Sequence, residues 1–401
     1  MIDKRKIAAV TLLNLGTLSW FFILNSYMDD VFAAMTPNNP NWGFYMGKSI
    51  FIGFAIFWSV TISFIGSKIS RRKLLFTSII MGMTSTALLG LMEGPFFASI
   101  LSSIMGTSLG LGLPSSMALV ADNTIVENRG RVSGIIILST FIVAFFSMAI
   151  YRTLELDIPN LILLLVIIRS ISLFSLVLDK VRRPSPNGKK IRLQVTTYRE
   201  FLFYLTPWMM FTIASILALS LIPATDYASE LYLGTNLKYV LIAVFGLAAG
   251  FIADRIGRKQ PIILGLATLG IGYLLIGFSM NGTTVILYSA LSGITWGLFF
   301  VVFLAVPGDL SISRSREKFY ALGYILPLTV MLTISAIPVP SITNLLPPNI
   351  IAQILGGCLF LAMYPVYRAK ETLTESKMKD IKMKEYVEKL GKTIQETEEN
   401  N

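Results

Sequence analysis

"GFIADRIGRKQP", residues 250–261, packs an acid, three basic residues and two glycines into a short island between two long apolar runs. What surrounds the island decides the fold. The 401-residue chain is 54% hydrophobic and 14% charged, and its mean hydropathy is +0.68. Soluble domains carry about a quarter of their residues as charges, so this composition belongs in a bilayer. Apolar stretches of about 20 residues recur about a dozen times, each long enough to cross a hydrocarbon core of about 30 Å as a helix. The fold class expected is an all-α integral membrane protein with twelve transmembrane helices in two pseudo-symmetric six-helix bundles. The island is then a turn between two spans, the earlier one placed at 236–253.

The net charge of +11 would suggest nucleic acid in a soluble protein, but its distribution argues against that partner. Of 34 Lys and Arg, Lys48, Arg152 and Lys238 fall in the odd-numbered turns and Arg169 inside a span, which leaves 34 − 4 = 30 in the N-terminus, the even-numbered turns and the tail. This positive-inside asymmetry places both termini in the cytoplasm of a plasma-membrane protein. The first apolar run is too long for a cleavable signal, and no small-residue cleavage pattern follows it. Cys358 is the sole cysteine and histidine is absent, which excludes an intramolecular disulfide and histidine chemistry. The sequence has no G-x-x-x-x-G-K-[ST] loop, which argues against ATP as an energy source, and no metal cluster or nucleophile–base pair that would suggest an enzyme. No cofactor is expected, and the partners expected are the bilayer and a small-molecule solute, with the chain a monomer.

Sliding the sequence against itself by 187 residues brings "SFIGSKISRRK" (63–73) under "GFIADRIGRKQ" (250–260). Arg71 falls on Arg258, Gly106 on Gly293, Gly110 on Gly297, Asp122 on Asp309 and Arg129 on Arg316, without a gap. Charged turns and glycines in one register are not the chance identity of apolar residues. Six spans per half make a parallel repeat about an axis along the membrane normal. The domains expected are an N-terminal bundle (1–178), a basic cytoplasmic linker (179–199), a C-terminal bundle (200–370) and a charged cytoplasmic tail (371–401).

With this register in place, the chain resembles the major facilitator superfamily over about residues 7–370. "GFIADRIGRK" is similar to the family's turn G-x-x-x-D-R-x-G-R-K/R between the second and third helix of a half. "MGTSLGLGLPSSMALVADNTIVENRGRVSG" (105–134) is similar to its fourth-helix pattern of spaced glycines, a mid-helix proline and a terminal acid before Arg-Gly. The first half departs from the pattern, with Ser67 and Ser70 where the second has Asp254 and Gly257. Ser102 and Ser103 stand where an arginine is often found near the start of the fourth helix, and the fifth helix lacks the Gly-Pro pattern of drug–proton antiporters. The resemblance implies a gating latch of Asp254, Arg255, Gly257, Arg258 and Asp309, with Arg71, Asp122 and Arg129 as a weaker first-half counterpart. Asp254 is expected to meet the start of the fifth helix around Arg131 to Gly134, Arg258 to pair with Asp309, and Arg71 with Asp122. A carboxylate at a helix N-terminus and a guanidinium on a carboxylate are the contacts such a turn can make. The alternative is that these charges only set topology.

The resemblance also implies that helices one, four, seven and ten line a central cavity. At 100° per residue Asn14, Phe21 and Asn25 share a face of the first helix with Asp29. Tyr204, Trp208, Thr212 and Ser215 share one on the seventh with Asp226, and Tyr288, Ser292 and Trp296 one on the tenth. Aromatic walls with a few amides and hydroxyls suit a small organic solute, although the same residue types also pack helices against one another. Asp29, Asp30, Asp226 and Arg169 are candidates for ion coupling. Arg169, near mid-bilayer, needs a carboxylate, backbone carbonyls, lipid phosphate or an anionic substrate beside it. The function expected is secondary active transport of a small organic solute by alternating access, coupled to an ion or proton. Likeness to sugar porters ("AKETLTES") and to metabolite–proton symporters ("NLGTLSWFFILNSYMDD") is weak in both cases. The alternative is a membrane sensor or scaffold that keeps the fold without translocating anything.

Overall fold

The computed structural model describes residues 4–38, 46–178, 195–218, 221–223, 226–312, 315–336, 346–374 and 383. The expected linker over 179–194, and the tail over 375–382 and 384–401, lie outside the described residues. Among those described there is no strand. The first half contains α1 (Lys4–Met35), α2 (Lys48–Ile65), α3 (Arg71–Leu88), α4 (Pro95–Asn123), α5 (Val126–Thr153) and α6 (Ile158–Leu178). The second contains α7 (Val195–Leu217), α8 (Ala228–Arg255), α9 (Lys259–Phe278), α10 (Gly282–Leu310), α11 (Arg316–Ala336) and α12 (Pro348–Leu361), which continues past Ala362 as the short α13 (Met363–Arg368). In bilayer hydrocarbon a helix pairs every backbone group internally, so apolar runs of this length have no other stable form.

Ten of the helical stretches are long and apolar enough to cross a membrane. The other two, α3 and α11, hold the third and eleventh places of the fold. They are less apolar because each opens on charges, Arg71-Arg72-Lys73 in one and Arg316-Glu317-Lys318 in the other. Two boundaries differ from the sequence expectation. Helix α7 starts at Val195, inside the expected linker, and α8 starts at Ala228 instead of near residue 236. The second difference moves Lys238 from the edge of its expected span, where it counts with the turn, into a helix interior, 238 − 228 = 10 residues and about 15 Å past its start.

The 187-residue register is built into the packing. Helix α4 shifted by that offset (95 + 187 = 282, 123 + 187 = 310) falls on α10 end to end. A Cβ added at Gly110 would lie 2.5 Å from the carbonyl of Ala55, and one at Gly297 would lie 2.8 Å from that of Ile242; 55 + 187 = 242. The larger hydrophobic core fills the first half and runs across the seam onto α8, α10 and α11 through Ile242, Leu298 and Leu328, and a second lies within the second half. The halves meet where α5 packs on α8 and α2 on α11, two contacts related by the same pseudo-symmetry. At the first, a Cβ added to Gly250 would stand 2.6 Å from the Gly130 carbonyl, so glycine is what lets the two backbones approach. Side chains such as Phe146 and Val244 are more than half exposed on the outer surface, as a lipid-facing surface requires.

Candidate functional site

Twelve crossings bring the start of α1 and the end of α13 to one face, called here the terminal face. The turns α2–α3, α4–α5, α8–α9 and α10–α11 lie on it, and their charges form one lattice. Asp309, at the end of α10, takes Arg258 of its own half at 3.0 Å and Arg129 of the other half. Asp122, at the end of α4, takes Arg71 of its own half and Arg316 of the other. Since Arg71 corresponds to Arg258 and Arg129 to Arg316, the same figure is drawn twice, and each copy crosses between halves.

Asp254 adds a second crossing. Its carboxylate accepts from the backbone N–H of Gly130 at 2.9 Å and of Arg131 at 2.8 Å, at the start of α5, and from Arg258 Nη1 at 2.7 Å. Arg131 Nε donates to the same carboxylate at 3.1 Å. The N-terminal turn of a helix offers unpaired N–H donors and a positive dipole end, which favour an anion there. Gly257 completes the turn at φ 130°, a backbone conformation that disfavours a side chain, and the Glu371 carboxylate lies against it. That carboxylate accepts from the N–H of Arg258 at 2.8 Å, and the Thr372 hydroxyl donates to Asp309 at 3.0 Å. Burial alone would lower the pKa of the Arg258 guanidinium, but Asp309 and Asp254 more than offset it and hold the group above its ordinary value. Arg255 stands apart from this lattice. Its side chain is exposed and lies over the Phe251 ring, because it projects from the far side of the helix end.

The first half has serine at position 67, the counterpart of Asp254, yet Arg71 still has two acids. Glu317 of α11 accepts from Arg71 Nη2 at 2.6 Å and from Nε at 3.1 Å. In the repeat register Glu317 corresponds to Gly130 (317 − 187 = 130), so self-comparison of the sequence gives no signal for it. Glu371 and Thr372 follow the last helix and were not among the expected site residues either. A carboxylate without a solvation partner in an apolar chain is the signal that could have marked both acids.

At mid-depth the halves meet through rings. Phe22 of α1 and Phe141 of α5 pack on Phe300 of α10 at centroid separations of 5.3 and 5.6 Å, and Phe21 approaches Tyr324 of α11 at 6.4 Å. Trp296 joins Phe300 at 4.9 Å, Phe211 at 4.5 Å and Trp208 at 6.0 Å. Trp208 is anchored by its indole N–H donating to the Gly323 carbonyl at 2.9 Å. Trp296 Nε1, the Tyr324 hydroxyl and Ser215 Oγ are buried without a protein partner. Lys238 lies with its ammonium 5.8 Å from the Trp296 ring centre. Toward the opposite face the halves touch through the Ser26 and Tyr239 hydroxyls at 3.0 Å and through Arg152, which lies over Tyr232.

Phe21, Trp208 and Trp296 therefore gather at the centre, while other expected cavity residues are drawn elsewhere. Ser215 lies 215 − 208 = 7 residues past Trp208, about two turns nearer the opposite face. Tyr204 lies near the terminal face and donates to the Lys370 carbonyl at 2.8 Å. Tyr288 donates to the Tyr273 hydroxyl at 3.2 Å, inside the second half. Thr212 bonds back to the Trp208 carbonyl at 2.8 Å, and Ser292 is buried. Asn14 donates to the Val10 carbonyl at 2.9 Å, leaving its own oxygen buried without a partner. Asn25 is half-buried one turn nearer the opposite face than Phe21. Asp29 pairs with Lys48 at 3.6 Å through one oxygen while the other is buried and unpartnered. Asp30 is exposed, and Asp226 is exposed in the turn before α8. Arg169 is fully buried, with Nη1 donating to Thr17 Oγ1 at 2.7 Å, Nη2 facing Ser108 Oγ at 3.3 Å, and the guanidinium 5.0 Å from the Trp20 ring centre. Two hydroxyls, an indole and the Ser78 carbonyl, which accepts from Nη2 at 3.4 Å, take the place of a carboxylate, drawn from α1, α4 and α3 of its own half.

The model of the Major Facilitator Superfamily matches residues 7–305. An uncharacterized MFS-type transporter of Methanocaldococcus jannaschii is 23% identical over 288 residues, covering 66% of this chain and 71% of the relative. Among solved structures, the human organic anion transporter MFSD10 (TETRAN) is similar at a TM-score of 0.68 and 16% identity, covering 90% of this chain and 99% of that one. The proton:xylose symporter XylE, bound to 6-bromo-6-deoxy-D-glucose, is similar at a TM-score of 0.69 and 14% identity, covering 92% and 96%. With two six-helix halves in register, a charge lattice across their seam and a family match over three quarters of its length, the chain belongs to the major facilitator superfamily of membrane transporters.

Proposed function

We propose that the chain is a secondary active transporter that carries a small organic solute through the ring-lined centre by alternating access. The observation that carries this reading is the crossed lattice on the terminal face. Asp309–Arg129, Asp122–Arg316 and Asp254 on the start of α5 all join one half to the other. They close that face and must separate for it to open. Contacts of this kind are few, discrete and charge-assisted, which suits a two-state lock. The basic turns on the terminal face support a reading in which it is the cytoplasmic face of the plasma membrane. Coupling is to an ion or proton gradient, and Asp29 is the acid best placed, with one buried unpartnered oxygen and a cation beside the other. The transporting unit is a monomer, since one chain supplies both halves of the chamber and the lattice.

The test begins with purified protein and a thermal-shift screen of solutes, since a bound solute raises the melting temperature. A stabilising solute is then followed by counterflow in proteoliposomes. Saturable exchange is the expected result. A solute that stabilises the protein but crosses no faster than in protein-free liposomes would remove the transport reading.

A further inference from the structure

Lys238 occupies a position that the repeat reserves for an apolar side chain. Its first-half counterpart is Phe51 (51 + 187 = 238), and both residues use their backbone carbonyl in the same way. A Cβ added at Gly106 would run into the carbonyl of Phe51, and one added at Gly293 would stand 2.7 Å from that of Lys238. Phe51 is fully buried and stacks on Phe21. The counterpart of Phe21 is Trp208 (21 + 187 = 208), which packs on Trp296, the ring beneath Lys238. The layer that is ring on ring in the first half therefore carries a cation in the second.

Packing gives no reason for that charge. Helix α8 exposes Leu233, Val240, Val244 and Phe251 along one stripe. At 100° per residue Lys238 lies about 140° round the helix from the centre of that stripe, so it points into the protein and not toward lipid. Among the described residues no carboxylate lies within ion-pair distance of it, and its one ring contact is Trp296. An ammonium at this depth without an acid is costly. It sits over the Trp296 ring, whose indole N–H is itself buried without a protein partner. One ammonium and one N–H on aromatic walls offer donors to an acid group and apolar surface to its carbon skeleton.

We propose that the ring-lined centre between the halves binds a small organic anion, a carboxylate on an apolar or aromatic skeleton, with Lys238 as its counter-ion. This rests on the transport reading, in which the chamber holds the solute. Trp296 positions the ammonium by a cation–π contact and stacks on the skeleton.

The experiment compares full-length wild type with Lys238→Gln and Lys238→Arg at pH 7. The probes are benzoate, phenylacetate, indole-3-acetate and 3-phenylpropionate, each against its own amide. Melting temperature and quenching of tryptophan fluorescence give the affinities. At least one acid is expected to bind wild type roughly 10- to 150-fold more tightly than its amide, the range for a hydrogen bond to a charged group. Lys238→Gln should bring that ratio to about 1 and Lys238→Arg should keep most of it. The proposal is overturned if wild type favours no acid over its amide, or if the preference survives in Lys238→Gln. Reactivity of a cysteine at Phe300, which packs on Trp296 at 4.9 Å, from each face separates this from the underlying reading. If the site changes face but shows no acid preference, only the anion assignment fails. If an acid is preferred at a site that never changes face, the transport reading fails instead.

Discussion

Replacing Asp254 with Asn should open the terminal face, and the structure sets the size of the effect. The carboxylate accepts four donors: Gly130 N–H, Arg131 N–H, Arg131 Nε and Arg258 Nη1. An amide has one acceptor oxygen, so whichever way it turns its NH₂ meets two of these donors. The side chain of Arg131 is 52% exposed, and losing its bond to water costs little. The buried N–H groups at the start of α5 and the guanidinium of Arg258 have no such recourse. Losing one such bond and the charge behind the others costs the closed state about 2–3 kcal/mol, a shift of roughly 30- to 150-fold. A protein about 99% closed would fall to between about 77% and 40% closed. Spin labels at the exposed Lys73 and Gln260, one in each half on this face, read the populations by double electron–electron resonance. A new long-distance population should appear in Asp254→Asn at a melting temperature close to wild type. An unchanged distribution in a folded variant would refute the lock and leave these charges a topological role alone.

Arg169→Lys should lower the melting temperature more than Arg169→Met. A single ammonium cannot span Thr17 and Ser108, whereas both hydroxyls already donate to carbonyls, of Leu13 at 2.8 Å and Ser78 at 2.6 Å, and are not stranded when the guanidinium goes. The reverse order of melting temperatures would give Arg169 a role beyond packing. Asp29→Asn should abolish uphill accumulation in proteoliposomes under an imposed gradient while sparing exchange, and full accumulation by the variant would take Asp29 out of the coupling step. In a Cys358→Ser background, an impermeant maleimide added outside cells should label a cysteine at Asn281 and not one at Gln260. The opposite pattern would reverse the orientation.

Much of this arrangement was legible in the sequence because it repeats. The 187-residue register placed α4 on α10 and paired Arg71 with Arg258 and Asp122 with Asp309, since charges in apolar surroundings align without ambiguity. The register carried no information about Glu317, whose counterpart is a glycine, or about Glu371, which lies past the last helix. Helical stripes did less well in the core. Tyr204, Trp208 and Thr212 share one angular face, but a tilted helix passes different neighbours along its length. Tyr204 ends near the terminal face and Trp208 at the centre. Lys238 was misplaced for a simpler reason. Ser229, Glu230, Tyr232, Gly234 and Thr235 depress the local hydropathy, so the apolar run starts about eight residues later than the helix does and leaves the lysine at its edge.

The central claim is that the chamber opens to one face at a time, with the crossed lattice choosing the face. The most direct measurement is the reactivity of a single cysteine at Phe300, where rings of both halves meet, in a Cys358→Ser background, toward an impermeant maleimide applied to either side of oriented vesicles. Reaction in the parent protein should come from the opposite face, and Asp254→Asn should transfer it to the terminal face. Reaction from one fixed face in both proteins, or from both faces at once, would contradict the account.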